Sequence, residues 1–335
     1  MQISPETQLF IREHQTDDVR ALALQARKYP NVDMPTAITQ IAGRQVAAEK
    51  IPSWRDTDDI WYPKHLSLEQ CSSEVTARYK ATLLKGNSLT DLTGGFGIDC
   101  AFLATRFKSA IYVERQQELC EIAAHNFPIL NLNHINVKNE DGVSYLQAMS
   151  PVDCIFLDPA RRNEHGGKTV AISDCEPDVA ELEELLLNKA GQVMVKLSPM
   201  LDLSLALKEL QHVQEVHIIS ANNECKELLL ILGQASVEEI SIHCVNLPTK
   251  GTQEEQHFVF TREQEQRSEC NYTDTLENYL YEPNASLLKA GAFRSIASAF
   301  PVKKLHPNSH LYTSDVLVES FPGRAFHIIS QCSLN

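Results

Sequence analysis

The chain has 335 residues, 43% of them apolar and 22% charged, which is long enough for more than one globular domain. Its formal net charge of −14 argues against binding of nucleic acid by the whole surface, although it allows a local basic face. No apolar run reaches membrane-spanning length, and the N-terminus lacks the basic and apolar parts of a signal peptide. The nine cysteines form no C-x-x-C pair, which predicts reduced core residues of a cytoplasmic protein without a zinc ribbon.

Residues 1–85 are predicted to form a helical N-terminal region. The segment "SPETQLFIREH" has a Ser cap followed by Pro and Glu, which is typical of a helix start. The segment "MPTAITQIAGRQVAAEK" spaces its apolar residues at three and four, and "SLEQCSSEVTARYKATLLKG" runs from a Ser cap to a terminal Gly.

The pattern changes at about residue 88, where short apolar runs begin to alternate with helical segments. This alternation predicts βαβ units with right-handed crossovers and a parallel sheet, because buried parallel strands are nearly all apolar. Five such strands are predicted: "SLTDL", "AIYVE", "INVKN", "VDCIFLD" and "QVMVKLS".

Two further strands, "EVHIIS" (215–220) and "ELLLILG" (227–233), are separated by only six residues. A crossover helix does not fit in that gap, so these strands are predicted to form an antiparallel hairpin. The expected fold class is therefore α/β. A Rossmann-like seven-stranded sheet of five parallel strands and a terminal hairpin is expected in residues 86–234, and a small α/β region in residues 235–335.

The stretch "DLTGGFGID" (91–99) places three glycines directly after the first predicted strand. A P-loop requires Lys and Ser or Thr after its last glycine, but Ile98 and Asp99 follow Gly97. A dinucleotide fingerprint requires a third glycine where this chain has Cys100. The remaining use is the binding of a nucleoside without a pyrophosphate, and Asp91 at the strand end suits a cationic or amine-bearing ligand.

Acidic residues also end the next two strands. Glu114 follows Asp91 by 23 residues, and a carboxylate at this place can bind both hydroxyls of a ribose. Glu140 and Asp141 follow the third strand, and Asp141 can accept a hydrogen bond from an adenine amino group. These side chains are expected at the carboxyl edge of the sheet, where open α/β sheets bind ligands.

The segments "DLTGGFGID", "YVER", "NED" and "FLDPARR", with five parallel strands and a terminal hairpin, resemble class I S-adenosylmethionine-dependent methyltransferases over residues 68–233. Thr93 departs from the family's usual motif, which has glycine there. The resemblance implies S-adenosylmethionine as cofactor, with Asp91 and Gly95–Gly97 near its methionine part, Glu114 at the ribose and Asp141 at the adenine. It also places in the cofactor site Thr93, Gly94, Phe96, Arg115 and Gly142.

A closer resemblance is to bacterial proteins that share "LEQCSSEVTARYK", "VKLSPMLD" and "NECKELLL" and carry a THUMP-like, RNA-binding region after the catalytic domain. It implies a ferredoxin-like or THUMP-like region in residues 235–335 and RNA as a partner. Residues 283–335 contain five Lys or Arg against two acids, which is compatible with a basic binding face. The final segment "RAFHIISQCSLN" reads as a strand with nothing after it, as expected of a shortened chain.

The segment "DPARR" after the fourth strand resembles the D/N-P-P-x motif of methyltransferases that act on amines or rings of bases. Asp158 and the turn at Pro159 can accept hydrogen bonds from an amine and orient its lone pair toward the methyl group. Arg161 and Arg162 can hold a phosphate or stack on a base. Lys196 is a cation inside an apolar strand and is included among the predicted catalytic residues.

Other chemistries remain open. Methylation of a pyrimidine C5 requires a cysteine nucleophile, and "GQVMVKLSPMLD" contains none. Ribose 2′-O-methylation uses a Lys-Asp-Lys-Glu group, for which Asp158 and Lys196 match the middle pair, Glu224 the last member, and Lys80 or Lys85 the first. A protein or small-molecule methyltransferase and a non-catalytic cofactor-binding module are further alternatives.

The interpretation with most support is a methyltransferase that modifies a base in structured RNA, with RNA bound through the basic C-terminal region. No membrane partner and no metal are expected. His306 and His310 are four residues apart, but Pro307 argues against a helical metal site and no third ligand is near in sequence.

Overall fold

The computed structural model describes residues 3–161, 171–249 and 254–331. The chain divides into two compact units. The first comprises Met1–Asp158 and Glu184–Gln192, and the second comprises Pro159–Glu183 and Val193–Asn335. The fold is α/β with a mostly parallel sheet, as the sequence predicts.

The first unit begins with helices. Helix starts are fixed by side-chain caps: Ser4, Asp33 and Ser73 each accept a hydrogen bond from a backbone N–H three residues later. Phe10, Leu22 and Ile41 from three of these helices form one buried core. The prediction of a helical N-terminal region is confirmed by α1 (Pro5–Glu13), α2 (Val19–Leu24), α3 (Met34–Lys50), α4 (Pro52–Arg55), α5 (His65–Gln70) and α6 (Glu74–Leu83).

The βα part of the first unit follows. Its strands lie in the order β4-β1-β2-β3 and are all parallel. Their carboxyl ends therefore share one edge, where β1, β2 and β3 each pass through a loop into a helix. The elements are β1 (Ser88–Asp91), α7 (Ile98–Ala104), β2 (Ser109–Glu114), α8 (Gln117–Ile129), β3 (Ile135–Asn139), α9 (Gly142–Ala148) and β4 (Val152–Leu157).

The second unit contains the predicted hairpin and extends beyond it. The turn of the hairpin is Asn222–Asn223, both with positive φ (50° and 61°), which suits a tight turn between twisted strands. Two further strands continue the sheet in the order β11-β10-β8-β9, so the sheet has more strands than the predicted seven. The elements after β4 are β5 (Ala160–Arg161), β6 (Cys175–Glu176), α10 (Val179–Lys189), β7 (Ala190–Leu197), α11 (Leu203–Glu209), β8 (Val213–Ala221), β9 (Glu224–Gly233), β10 (Ser241–Leu247) and β11 (Gln256–Phe260). Of these, α10 and β7 each have residues in both units.

A small antiparallel sheet closes the chain, with strand order β13-β14-β12-β15. Tyr281, Tyr312 and Phe321 fill its core. The segment "NASLLKAGAFRSIASAF" forms two helices, because Gly291 adopts a left-handed conformation (φ 76°) that ends the first. The elements are α12 (Arg262–Arg267), β12 (Tyr279–Pro283), α13 (Ala285–Ala290), α14 (Phe293–Ala299), β13 (Lys303–Lys304), β14 (Tyr312–Ser314) and β15 (Gly323–His327).

The sequence predicts no membrane-spanning segment. Within the described ranges, every helix is too short or too polar to cross a bilayer.

Candidate active site

Asp91 ends β1 and is buried, with 1% of its surface exposed. Its Oδ1 accepts a hydrogen bond from the N–H of Thr93 at 2.9 Å, whereas Oδ2 has no hydrogen-bond partner among the described residues. Burial raises the pKa of Asp91 well above its usual range, and the negative charges of Asp99, Asp158 and Glu114 add to the rise. A carboxylate in this state is stabilised by a cationic ligand.

The glycine turn joins β1 to α7. Its backbone is tied to the sheet because Gly94 donates to the carbonyl of Val113 at 2.8 Å and Tyr112 donates to the carbonyl of Gly95 at 2.5 Å. Gly95 and Gly97 have φ values of +55° and +88°, a region that other residues rarely adopt. A Cβ at Gly95 would meet no atom nearer than 3.8 Å, so the turn is open to a ligand at this point.

Glu114 ends β2 and braces the glycine turn. Its Oε2 accepts from the N–H of Gly95 at 2.9 Å, and its Oε1 accepts from the N–H of Gln116 at 2.8 Å. Each carboxylate oxygen has a second acceptor position, so Glu114 can hold the turn and still bind two hydroxyls. Only 8% of the residue is exposed, which fixes this arrangement before a ligand binds.

The third strand contributes Asp141 and Gly142. Asp141 is exposed and caps α9, because its Oδ1 accepts from the N–H of Ser144 at 2.9 Å. A Cβ at Gly142 would lie 2.2 Å from the carbonyl oxygen of Leu92, so glycine lets the start of α9 pack against the end of β1. Arg115 is exposed beside this edge, and its carbonyl accepts from Asn139 at 3.1 Å.

Thr93 connects the cofactor turn to the fourth strand. Its N–H donates to Asp91, and its hydroxyl oxygen accepts from the N–H of Asp158 at 2.6 Å. A glycine, which the usual methyltransferase motif has here, would lack this hydroxyl. Thr93 therefore fixes the backbone of the half-buried Asp158 relative to Asp91.

The residues after Asp158 form a turn and a short strand. Pro159 is buried, and the backbone of Arg161 in β5 pairs with that of Cys175 in β6. Arg162, the second predicted arginine, lies outside the described residues.

Phe96 was predicted to bind the cofactor, but its ring is buried in a cluster of aromatic side chains. Its centroid lies 5.1 Å from the ring of Trp54 and 6.2 Å from that of Tyr62. Phe96 therefore anchors the glycine turn to the helical region. Trp54 is part of the buried core, and the ring of Trp61 stacks on that of His125 with centroids 3.6 Å apart.

A buried ion pair supports α7 and was not recognised in the sequence. Lys80 is fully buried, and its Nζ lies 2.9 Å from Asp99 Oδ1 and 2.7 Å from Ser72 Oγ. Ser72 donates to Asp99 Oδ2 at 2.8 Å. The sequence signal was a lysine at an otherwise apolar helix position, four residues before the end of the segment "SSEVTARYKATLL".

Replacement of Lys80 by Met is expected to lower the free energy of unfolding by about 3–5 kcal/mol, because it removes the cation from a buried carboxylate. Urea denaturation followed by circular dichroism measures this change. Lys85→Met is the matched control, since Lys85 is exposed and its loss should change stability by less than about 0.5 kcal/mol. Equal stability of the two variants would contradict the structural role of Lys80.

The Lys-Asp-Lys-Glu group of a ribose 2′-O-methyltransferase is not supported by the positions of its first and last candidates, which are Lys80 or Lys85 and Glu224. Lys80 is engaged by Asp99, and Lys85 precedes β1, at the opposite edge of the parallel strands from Asp158. Glu224 is exposed and pairs with Lys226 at 2.6 Å. Lys196 is buried in β7 of the second unit.

The basic residues of the C-terminal region make internal contacts. Lys304 is buried and donates to the carbonyls of His306 and Pro307, both at 2.8 Å. Lys303 pairs with Glu277, and Arg324 pairs with Glu282. Lys303 and Arg324 keep half or more of their side chains exposed (50% and 59%), whereas Lys304 does not reach the surface.

These residues fit S-adenosylmethionine. Its cationic groups match the buried carboxylate of Asp91, whose Oδ2 has no hydrogen-bond partner in the described part of the chain, and its ribose hydroxyls match the remaining acceptor positions of Glu114. The open glycine turn lies between these two carboxylates. Together with the parallel strands, this site defines a class I S-adenosylmethionine-dependent methyltransferase.

Comparison with known proteins leads to the same class. Residues 49–163 match the model of the protein-L-isoaspartate(D-aspartate) O-methyltransferase family, and residues 279–322 match that of a ferredoxin-like domain. The chain is similar to a "putative methyltransferase" from Porphyromonas gingivalis W83, with 36% identity, a TM-score of 0.85, and coverage of 97% of this chain and 81% of that chain. The chain belongs to the same methyltransferase family as that protein.

Two weaker similarities involve part of the chain. An "rRNA Methylase" from Streptococcus thermophilus has 16% identity and a TM-score of 0.35, over 48% of this chain and 95% of that chain. A "putative methyltransferase" from Streptococcus mutans in complex with SAH has 15% identity and a TM-score of 0.35, over the same shares. No curated protein sequence is significantly similar to the chain.

Proposed function

We propose that this methyltransferase modifies an amine or ring nitrogen of a base in structured RNA. The observation that carries the proposal is the bond from the N–H of Asp158 to the hydroxyl of Thr93, 2.6 Å long. It holds an acidic side chain at the end of β4, beside the strand that ends in Asp91. An acceptor amine bound by Asp158 would therefore lie at the same edge of the sheet as the cofactor turn.

S-adenosylmethionine supplies a methyl group activated by a sulfonium. Asp158 then has two tasks: its carboxylate accepts a hydrogen bond from the amine N–H, and it orients the nitrogen lone pair. As the nitrogen gains the methyl group it becomes more acidic, and its proton can pass to a carboxylate oxygen of Asp158 or to water. The buried Pro159 shapes the turn whose carbonyl can take a second hydrogen bond.

RNA is proposed as the substrate because the D-P-A segment resembles that of base-modifying methyltransferases and because a ferredoxin-like domain follows the catalytic part. We take this domain as a THUMP-like RNA-binding region. Lys303 in this domain and Arg324 just after it are half-exposed cations, and their ion pairs with Glu277 and Glu282 contribute little at the surface. Phosphates can compete for both side chains, which would give binding that weakens with salt.

The proposal is tested by transfer of tritiated methyl groups from S-adenosylmethionine. Total RNA from a strain lacking the gene is the substrate, and DNA, total protein and a small-molecule extract are tested in parallel. Nucleoside mass spectrometry should then identify a base methylated on nitrogen. Label in a ribose 2′-O-methyl group, in protein or in small molecules would replace the proposal with that alternative, and no label in any fraction would favour a non-catalytic binding module.

The affinity for S-adenosylmethionine is expected to fall as the pH is lowered from neutral into the acid range. Burial, aided by the charge of Asp99, raises the pKa of Asp91, so protonation occurs at a pH where an exposed Asp is still ionised. The ionised form attracts a cation and the protonated form does not. Calorimetry across this range measures the trend.

Asp91→Asn is the control for this dependence. The variant should bind more weakly at neutral pH and should lose most of the pH dependence. A wild-type affinity that stays constant over the same range would show that Asp91 does not contact the cationic part of the ligand.

A further inference from the structure

A group of metal-binding side chains lies in the second unit, on strands β8 and β10. The strands are parallel, and His217 of β8 is in register with His243 of β10. Glu215 is two residues before His217 and therefore lies on the same face of the sheet. One ligand atom from each of Glu215, His217 and His243 lies within 4.8 Å of the others.

The contacts within this cluster are short. Glu215 Oε2 is 3.1 Å from His217 Nε2, and the rings of His217 and His243 stack with centroids 4.4 Å apart. His243 Nδ1 is 3.2 Å from Nε2 of His257, on β11. A tetrahedral zinc ion with bonds of about 2.0–2.1 Å requires its ligand atoms to be about 3.3 Å apart, so small side-chain rotations are sufficient.

Burial of the two histidines disfavours their charged forms. Burial, with a further contribution from His243, lowers the pKa of His217 to about 4. Burial also lowers the pKa of His243. A neutral imidazole can bind a metal through a ring nitrogen, whereas protonation of both stacked rings would place two cations side by side.

We propose that Glu215, His217 and His243 bind a divalent transition-metal ion, for which zinc is the best match. Two imidazoles and one carboxylate are typical zinc ligands, and Mg²⁺ prefers an all-oxygen set. Three protein ligands leave one coordination position, which water or the adjacent exposed His257 can fill. The Glu215 side chain is 47% exposed, so an ion can enter from solvent.

Zinc binding by the full chain tests the proposal. The protein is stripped with EDTA, dialysed and titrated with Zn²⁺ in a calorimeter, with Mg²⁺ in a parallel titration. We expect one Zn²⁺ per chain and no heat from Mg²⁺. Zn²⁺ should also raise the melting temperature, because it binds the folded chain. Co²⁺ at the same site should give visible absorption bands of a tetrahedral complex.

Three variants locate the ion. His243→Ala and Glu215→Gln each remove a ligand and should lower the Zn²⁺ affinity by at least about 100-fold, since loss of an outer-shell partner alone typically costs 10–100-fold. Glu215→Gln serves if His243→Ala does not fold, because its side chain is half-exposed. His306→Ala, at an exposed histidine outside the cluster, should bind like the wild type. The proposal is overturned if wild-type protein binds no Zn²⁺ or if both ligand variants bind it normally.

Discussion

Replacement of Glu114 by Ala or Gln is expected to abolish the binding of S-adenosylmethionine. Glu114 is the last residue of β2, and its carboxylate accepts a hydrogen bond from the N–H of Gly95 in the glycine turn. Among the described residues, it is the only group at this position that can also accept hydrogen bonds from both ribose hydroxyls. Each hydrogen bond to a charged group contributes about 1.5–3 kcal/mol, so loss of two should weaken binding roughly 100-fold or more. The amide of Gln keeps the shape but places an N–H group against a backbone N–H.

Calorimetry with S-adenosylmethionine measures this loss, and circular dichroism verifies that the variants are folded. Glu118→Gln is the matched control, because Glu118 lies on the following helix and its contact is an exposed ion pair with Lys64 at 3.1 Å. The control should bind the cofactor as the wild type does. If Glu114→Gln also retained wild-type affinity, the ribose would have to be held by another residue.

The position of Asp91 and Glu114 at one edge of the sheet could be predicted from the sequence, because it follows from strand order. Parallel strands put their carboxyl ends at one edge, so an acid that follows each apolar run is placed without knowledge of side-chain packing. Asp91 and Glu114 are brought together in this way, since each ends a strand and the two strands are neighbours. The glycine turn was recognised because positive φ values restrict the residue type.

Side-chain partners across the fold could not be predicted in the same way. The hydroxyl of Thr93 reaches a residue 65 positions away, and Lys80 pairs with an acid on another helix. Phe96 lies inside the glycine motif but faces the helical region, because its direction depends on how the turn is packed. The histidine cluster also depends on contacts between distant parts of the chain, since the register of β8 with β10 brings together residues 26 positions apart.

The boundary of the sheet also depended on long-range pairing. The segment containing β10 was assigned to a separate C-terminal region because a seven-stranded sheet that ends with the hairpin was expected. Parallel pairing of β10 with β8 instead continues the sheet, and β11 then covers the new edge. Local patterns do not distinguish these two outcomes, because the sequence of a strand indicates which of its residues are apolar but not which strand it pairs with.

Replacement of Asp158 by Asn is expected to leave S-adenosylmethionine affinity unchanged and to reduce methyl transfer by about 100- to 10,000-fold. Asn keeps the backbone N–H that donates a hydrogen bond to the Thr93 hydroxyl oxygen (2.6 Å), so the turn should keep its position. It loses the anionic acceptor that orients the amine and receives its proton. Tritiated-methyl transfer to RNA and calorimetry on the same preparation separate the two effects.

Two further variants distinguish chemistry from position. Thr93→Val removes the hydroxyl that holds Asp158 and should lower transfer less than Asp158→Asn does, whereas Thr93→Ser should restore it. Asp153→Asn is the control on the same strand, since Asp153 lies at the other edge and accepts from the N–H of Asn87 at 2.6 Å. Normal turnover by Asp158→Asn would remove this carboxylate from the reaction. Transfer would then depend on cofactor and substrate positioning alone, because a neutral amide at this place can still accept a hydrogen bond through its oxygen but cannot take up the proton.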